Sequence, residues 1–258
     1  MYTDNIIDIA ADAGKIMLEN GAETYRVEQT LSMICKAYDV KNVENFVTPS
    51  FLVLSITNDN KKTITTVRRV TNRTVNLKKV SLVNNLSRSL YLNDLSMDDI
   101  RKELHYINTL PRYGENITLF SSAISAGAFT LLFGGALRDF VIAFIIGFII
   151  TLVARLFDKH EVNSFFSNVC CGAIVSMIAV LVNHINPEFN KDTIIIGSIM
   201  LLVPGLVITN AIRDTLSGDL LSGISRSIEA IIIAASIAIG TALGFKIMVF
   251  ILGGVLWF

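Results

Sequence analysis

The stretch from Ser198 to Ala230 holds the densest group of chemically capable residues in a largely apolar half of the chain. It reads SIMLLVPGLVITNAIRDTLSGDLLSGISRSIEA. Pro204 removes a backbone donor and Gly205 relaxes the chain, so we expect the helix that contains them to kink or break inside the membrane. The positive end of the half-helix that follows would then face an anionic group such as a carboxylate.

Polar side chains follow this expected break at helical spacing, and a second set follows after a short loop. Together they predict a polar path toward the cytoplasm that a small carboxylate-bearing solute would contact. The candidate substrate-binding residues are Pro204, Gly205, Thr209, Asn210, Arg213, Asp214, Arg226 and Glu229.

A plainer interpretation of the same residues stays open. Pro204 is then a kink of the sort that membrane helices tolerate, and Arg213 with Asp214 is an interfacial pair that ends the helix. Lys246 has the same two interpretations, because a charge in a long apolar run is either functional or placed at the outer interface.

Small residues recur four positions apart in the apolar half. This spacing lets two helices approach closely, so we predict a packing role for them. They are Gly240 and Gly244, Ser121 and Ser125, and Gly172 and Ser176.

The distribution of charge divides the chain into two parts. Residues 1–115 hold 29 Asp, Glu, Lys or Arg side chains and residues 116–258 hold 15, while 52% of the whole chain is hydrophobic. This composition predicts an integral membrane protein with a charged N-terminal domain. The first part has 15 basic and 14 acidic side chains, a balance that argues against nucleic acid as a partner.

Residues 1–115 are expected to form a cytoplasmic α/β domain, since the N-terminus lacks the features of a signal peptide. Amphipathic helices over residues 4–20 and from Thr24, its N-cap, should flank a turn at Gly21. Ser96 and Asp99 match a capping box before a last helix that ends at Pro111. Strands are predicted over residues 43–47, 51–57 and 63–70, with a hairpin turn at 58–60.

The second part contains apolar runs long enough to cross a bilayer, which needs about 20 residues. We therefore predict about five transmembrane helices near residues 116–137, 140–157, 165–182, 193–212 and 228–252. Basic residues of the short loops favour a cytoplasmic N-terminus, and five spans then place the C-terminus outside. The inner loops carry Arg155, Lys159, Arg213 and Arg226, and the outer loops carry Arg138 and Lys191.

Signatures of enzymes are scarce. His105, His160 and His184 lack metal-ligand spacing, and the chain has no Walker-type loop, GxGxxG or GxSxG element. We predict no catalytic residue, no metal and no cofactor. Within GAETYRVE, Arg26 and Glu28 are two positions apart and cannot share a helix face, which favours a packing or surface role unless a partner meets them.

Two segments carry a resemblance to a known family. GAETYRVEQT at residues 21–30 and VPGLVITNAIRDTLSGDLLSGISRSIEA at residues 203–230 resemble the threonine/serine exporter family. The resemblance spans nearly the whole chain and matches the larger, N-terminal module of that family. It implies export driven by the electrochemical gradient, and a second module carried by a separate membrane subunit with four or five spans.

The leading hypothesis is therefore a subunit of a secondary transporter that exports a small carboxylate-bearing solute, either threonine or serine or a dicarboxylate such as succinate. A homo-oligomer is an open alternative for the assembly. A competing hypothesis is a membrane-anchored signalling or binding protein whose cytoplasmic domain is the active part. A membrane enzyme is disfavoured because no nucleophile, acid/base pair or metal cluster stands out.

Overall fold

A computed structural model describes residues 2–40, 42–57, 61–90, 95–111 and 113–253. These residues are mostly helical, with ten α-helices and one three-stranded sheet. The chain forms two compact units. The first comprises Met1–Arg112 and Leu206–Ile228, and the second comprises Tyr113–Gly205 and Glu229–Phe258. Residues 206–228 thus pack with the N-terminal part, although the linear division after residue 115 had grouped them with the membrane part.

The first unit begins with helices α1 (Tyr2–Glu19) and α2 (Thr24–Ala37) on either side of the predicted turn. Gly21 has a φ of 92°, a left-handed conformation that glycine adopts without a steric penalty. The prediction of Thr24 as N-cap was wrong by one residue. Glu23 is the N-cap, and its side chain makes no capping hydrogen bond.

The sheet is an antiparallel meander of β1 (Asn42–Val47), β2 (Phe51–Thr57) and β3 (Thr63–Arg69), with β2 in the centre. All three predicted strands are confirmed, whereas the predicted turn at residues 58–60 lies outside the described residues. Alternate side chains of β2 are buried on the face that packs against α1, as period-2 alternation requires: Leu52, Leu54 and Ile56.

Two further helices complete this N-terminal part, α3 (Leu77–Ser89) and α4 (Met97–Thr109). The predicted capping box of α4 is confirmed. The Asp99 backbone N–H donates to Ser96 Oγ over 3.2 Å, and the Ser96 hydroxyl donates to the Asp99 carboxylate over 2.6 Å. The apolar face of α4 closes the core with Ile100, Leu104 and Ile107.

The second unit contains α5 (Glu115–Leu132), α6 (Leu137–Lys159), α7 (Ser164–Ile185) and α8 (Lys191–Ile199). The chain continues with α9 (Gly205–Leu216) in the first unit and with α10 (Leu220–Ile251), which runs from the first unit into the second. Among the described residues, α6, α7 and α10 are long and apolar enough to cross a membrane.

The helix boundaries correct two of the predicted spans. α5 ends at Leu132 rather than near residue 137, because the chain turns at Gly134 with a φ of 89°. The last helix starts at Leu220, well before residue 228, because the polar residues that precede Ile228 are buried on one face instead of ending the helix.

The predicted break is confirmed. α8 stops at Ile199, residues 200–204 are non-helical, and α9 restarts at Gly205, directly after Pro204. Pro204 cannot donate the backbone hydrogen bond that a continuous helix needs at its position. The Gly205 N–H donates instead to the Val203 carbonyl over 2.9 Å.

Glycines bring the backbones of α7 and α10 into direct contact. A Cβ on Gly172 would lie 2.9 Å from the Ile237 carbonyl oxygen, one on Gly240 would overlap the Val169 carbonyl, and one on Gly244 would overlap the Ala173 carbonyl and the Ser176 hydroxyl. The predicted packing role is thus confirmed for this group of residues.

The predicted packing role is wrong for Ser121 and Ser125. Ser121 is exposed, and the Ser125 hydroxyl donates to the Ser121 carbonyl of the same helix over 2.8 Å. The close approach of α5 and α6 uses neighbouring positions, because a Cβ on Gly147 would lie 2.8 Å from Ala126 Cβ and 3.1 Å from Ala123 Cα.

Gly240→Ala is expected to lower the free energy of unfolding by about 1–3 kcal/mol, because the added methyl has no room beside a backbone carbonyl. Thermal unfolding of the purified protein in detergent measures the effect. The matched control is Gly114→Ala, where an added Cβ meets nothing within 4 Å. Equal midpoints for the two variants would contradict the backbone contact.

Candidate functional site

The turn between α1 and α2 is held by side chains of α9 and α10 within the first unit. Asn210 Nδ2 donates to the Gly21 carbonyl over 3.0 Å, and Arg226 Nη2 donates to the Ala22 carbonyl over 2.8 Å. These two carbonyls lie outside both helices and have no helical partner, so the amide and the guanidinium supply the hydrogen bonds that they need. The positive φ of Gly21 orients these carbonyls.

A carboxylate of α9 caps the beginning of α2. The Thr24 backbone N–H donates to Asp214 Oδ1 over 3.1 Å, in place of the capping bond that the Glu23 side chain does not make. An anion at a helix N-terminus satisfies an unpaired donor and interacts favourably with the helix dipole. The cap of α2 is therefore supplied by a residue 190 positions away in sequence.

The same carboxylate forms a buried ion pair with α10. Asp214 Oδ2 lies 2.9 Å from Arg226 Nε, a contact that lacks the alignment of a hydrogen bond. The Asp214 side chain is fully buried and that of Arg226 is 8% exposed. A buried ion pair is stable only when each charge keeps its partner, since an isolated buried charge costs several kcal/mol. Asp214 thus joins α2, α9 and α10 at one point.

A second set of charges lies at the edge of this cluster. The Glu23 carboxylate pairs with Arg213 through one oxygen and with Arg26 Nε, at 3.0 Å, through the other. The Glu23 side chain is 10% exposed, whereas that of Arg213 is 51% exposed. Arg213 is therefore the guanidinium of the cluster that solvent or a solute can reach most easily.

Two more carboxylates complete the cluster. Glu28 accepts a hydrogen bond from the Val47 backbone N–H over 3.2 Å, and the Thr24 hydroxyl donates to Asp219 over 3.4 Å. Burial raises the pKa of Glu28, and the negative charge of Asp219 raises it further. Burial also raises the pKa of Asp219, against the effect of the Thr24 hydrogen bond.

Glu28→Gln is expected to stabilise the protein at neutral pH. A carboxyl whose pKa is raised by folding binds a proton more tightly in the folded state, so its contribution to stability falls as pH rises above the ordinary value of 4.5. Glutamine removes the charge and keeps an oxygen for the Val47 N–H. The gain in unfolding free energy should be present at pH 7 and shrink toward pH 4.

The matched control is Glu103→Gln, which removes an exposed charge of α4 and should leave stability unchanged over the same pH range. Denaturant unfolding at a series of pH values measures both variants. A loss of stability for Glu28→Gln at pH 7 would contradict the repulsion among these carboxylates.

The structure brings half of the predicted site residues together. Asn210, Arg213, Asp214 and Arg226 lie in this cluster, and both guanidiniums engage carboxylates of the protein itself. Thr209 is exposed on the first turns of α9. The remaining three, Pro204, Gly205 and Glu229, belong to the second unit.

Sequence reasoning missed the contribution of the N-terminal part to the cluster. Glu23, Thr24 and Glu28 enter it from α2 and its cap, and Asp219 enters from the turn after α9. The signal that could have found the first three is the GAETYRVE segment, whose Glu28 does meet a partner. Among the described residues, no group of three or more His, Cys, Asp or Glu side chains could hold a metal ion.

The fold is that of a membrane protein with a broken helix. The part of that helix after the break, α9, packs in the first unit with its helices and three-stranded sheet. The chain belongs to ThrE, the threonine/serine exporter family, whose model matches residues 8–248.

Individual relatives are similar at low identity over most of the chain. The chain is 24% identical over 249 residues to the "Threonine/serine exporter" of Corynebacterium glutamicum, covering 94% of this chain and 51% of that protein. It is 22% identical over 240 residues to the "Probable succinate transporter subunit YjjP" of Escherichia coli (strain K12), covering 93% of each chain. No solved structure matches significantly. The chain thus spans about half the length of the threonine/serine exporters that it matches.

Proposed function

We propose that this chain is the larger subunit of a secondary transporter that exports a small carboxylate-bearing solute across the cytoplasmic membrane. The solute is threonine or serine, or a dicarboxylate such as succinate. The observation that carries the proposal is the family match over residues 8–248. The transporter names of relatives that cover about nine-tenths of this chain support it further.

The proposed topology has five spans and a cytoplasmic N-terminal domain. α5, α6, α7 and α10 would each cross the membrane, and α8 with α9 would cross it as a broken fourth span. The basic residues of the loops favour this orientation, which places the C-terminus outside. A small membrane subunit with four or five spans would complete the transporter, and the relatives that are named transporter subunits support such a partner.

The proposed substrate site is the first turn of α9 together with Arg213. Backbone N–H groups at a helix start favour an anion, and Arg213 is half exposed. Its present partner is the carboxylate of Glu23, so a substrate carboxylate would compete with Glu23 for the same guanidinium. Thr209, Asn210, Asp214, Arg226 and Glu229 remain proposed members of the polar path, with Pro204 and Gly205 at the break.

Solute efflux from loaded membrane vesicles tests the proposal. Vesicles that contain this chain with its second subunit should release labelled threonine or succinate, and vesicles with either subunit alone should not. Arg213→Gln should lower the efflux of carboxylates more than that of amidated analogues. If no carboxylate is released with both subunits present, the chain is not an exporter of this solute class.

A further inference from the structure

The α9–α10 hairpin, residues 206–228 of the first unit, has an inverted pattern of burial. Four of its polar residues, Asn210, Asp214, Ser222 and Arg226, are at most 7% exposed. Its large apolar side chains are exposed instead, with Leu216 reaching 82%, beside small polar residues such as Thr215 and Ser225. The exposed large apolar residues, called here the outer face, are Ile208, Ile212, Leu216, Leu220, Leu221, Ile224 and Ile228.

The outer face is a continuous feature and not scattered exposure. Ile208, Ile212 and Leu216 are four residues apart and lie on one side of α9, while Leu221, Ile224 and Ile228 follow at helical spacing on α10. Scattered apolar side chains on a surface need no explanation, but a contiguous patch of this kind marks contact with protein or membrane.

The exposed apolar side chains of α10 indicate that membrane, rather than protein, covers the outer face. Exposed side chains continue beyond Ile228 at Ile231, Ile239, Leu243 and Ile247, along the helix that is long and apolar enough to span a membrane. α10 has 32 residues and is about 48 Å long, against about 30 Å for a hydrocarbon core. The polar residues Ser222 and Arg226 lie in the first two turns of α10, so the surplus length is best placed at that end, at the membrane boundary.

The charges of the hairpin agree with a lipid surface. Asp214 is buried and Asp219 is half-buried, whereas Arg213, the exposed charge of the hairpin, is cationic. Arg213 is paired with Glu23, and the described hairpin residues 206–228 include no fully exposed carboxylate that the negative surface of the cytoplasmic leaflet would repel.

We propose that the outer face of the α9–α10 hairpin contacts lipid, with the turn between the two helices near the headgroup boundary and the two ends of the hairpin toward the acyl chains. The residues between Arg213 and Ile228 are then a membrane-embedded element of the first unit and not a loop in water. Their polar face binds the α1–α2 turn, and their apolar face contacts lipid. This surface does not depend on which solute is carried.

Nitroxide accessibility in the full chain tests the proposal. Single cysteines at Ile212, Leu216 and Ile224, in a background with Cys35, Cys170 and Cys171 replaced by alanine, carry the spin label. The protein is reconstituted in vesicles of phosphatidylethanolamine and phosphatidylglycerol. Oxygen partitions into lipid and a nickel chelate into water, so their collision rates separate the two environments. Ile145, exposed on α6, is the lipid reference, and Lys102, 78% exposed on α4, is the water reference.

All three hairpin positions are expected to show higher oxygen and lower nickel accessibility than Lys102, with values between those of Lys102 and Ile145. Nickel accessibility equal to that at Lys102 would overturn the proposal in favour of a face in water. Low accessibility to both reagents would overturn it in favour of a protein cover, either a second copy or another subunit.

A second measurement covers the case in which the cysteine-free background does not fold. Tryptophan at the same three positions, in a Trp257→Phe background with the native cysteines kept, should be quenched by brominated lipid more strongly than tryptophan at Lys102, with tryptophan at Ile145 as the positive reference. Quenching no greater than at Lys102 would reject the lipid contact.

Discussion

Arg226→Met is expected to lower the free energy of unfolding by about 3–5 kcal/mol, the largest stability effect that this structure predicts. The substitution leaves the Asp214 carboxylate buried without its ionic partner at 2.9 Å. It also leaves the Ala22 carbonyl without the hydrogen bond from Arg226 Nη2. Both losses occur where α2, α9 and α10 meet, so the α1–α2 turn should detach from the hairpin.

Unfolding of the purified protein in detergent, followed by circular dichroism, measures the loss. Arg138→Met is the matched control, because both side chains of the Arg138–Glu188 ion pair are exposed. That pair should contribute less than about 1 kcal/mol to the free energy of unfolding. Adding Asp214→Asn to Arg226→Met should restore much of the stability, since asparagine removes the buried charge and keeps an oxygen for the Thr24 N–H. Equal losses for Arg226→Met and Arg138→Met would show that the buried pair contributes no more than a surface pair.

Replacing Pro204 and Gly205 together by alanine is expected to abolish transport while the protein remains inserted at a normal level. Proline in a helix interior costs about 3 kcal/mol and glycine about 1 kcal/mol relative to alanine, so the change favours one continuous helix from α8 into α9. Alanine at position 205 meets nothing within 4 Å, and a loss of activity there would not be steric. The continuous helix would remove the first turn of α9, where we propose that a carboxylate binds.

Efflux from vesicles, normalised to the amount of inserted protein, measures the effect. Pro187→Ala is the matched control, because this proline lies between α7 and α8 outside any helix and its loss should leave efflux unchanged. Wild-type efflux from the double variant would show that Pro204 and Gly205 form only a kink. The transport site would then have to be sought elsewhere, with Lys246 and Glu229 as the next candidates.

Local patterns in the sequence determined most of the secondary structure. The glycine turn at Gly21, the three strands, the capping box at Ser96 and the helix break at Pro204 each depend on residues within a few positions of one another. The glycine spacing of Gly240 and Gly244 likewise indicated a close helix contact, because only a residue without a Cβ permits it. Each of these features was predictable because its cause is local.

The tertiary structure decided what the polar residues do. From sequence, Arg213 and Arg226 were free to attract a solute, and Thr24 was the obvious cap for its own helix. The partners that they meet, Glu23, Ala22 and Asp214, lie 190 to 204 positions away, and no periodicity of the sequence encodes such a distance. A charge's partner depends on which helices pack together. The sequence therefore identified the charged residues, and packing alone determined that two of the arginines bind the N-terminal part of the chain.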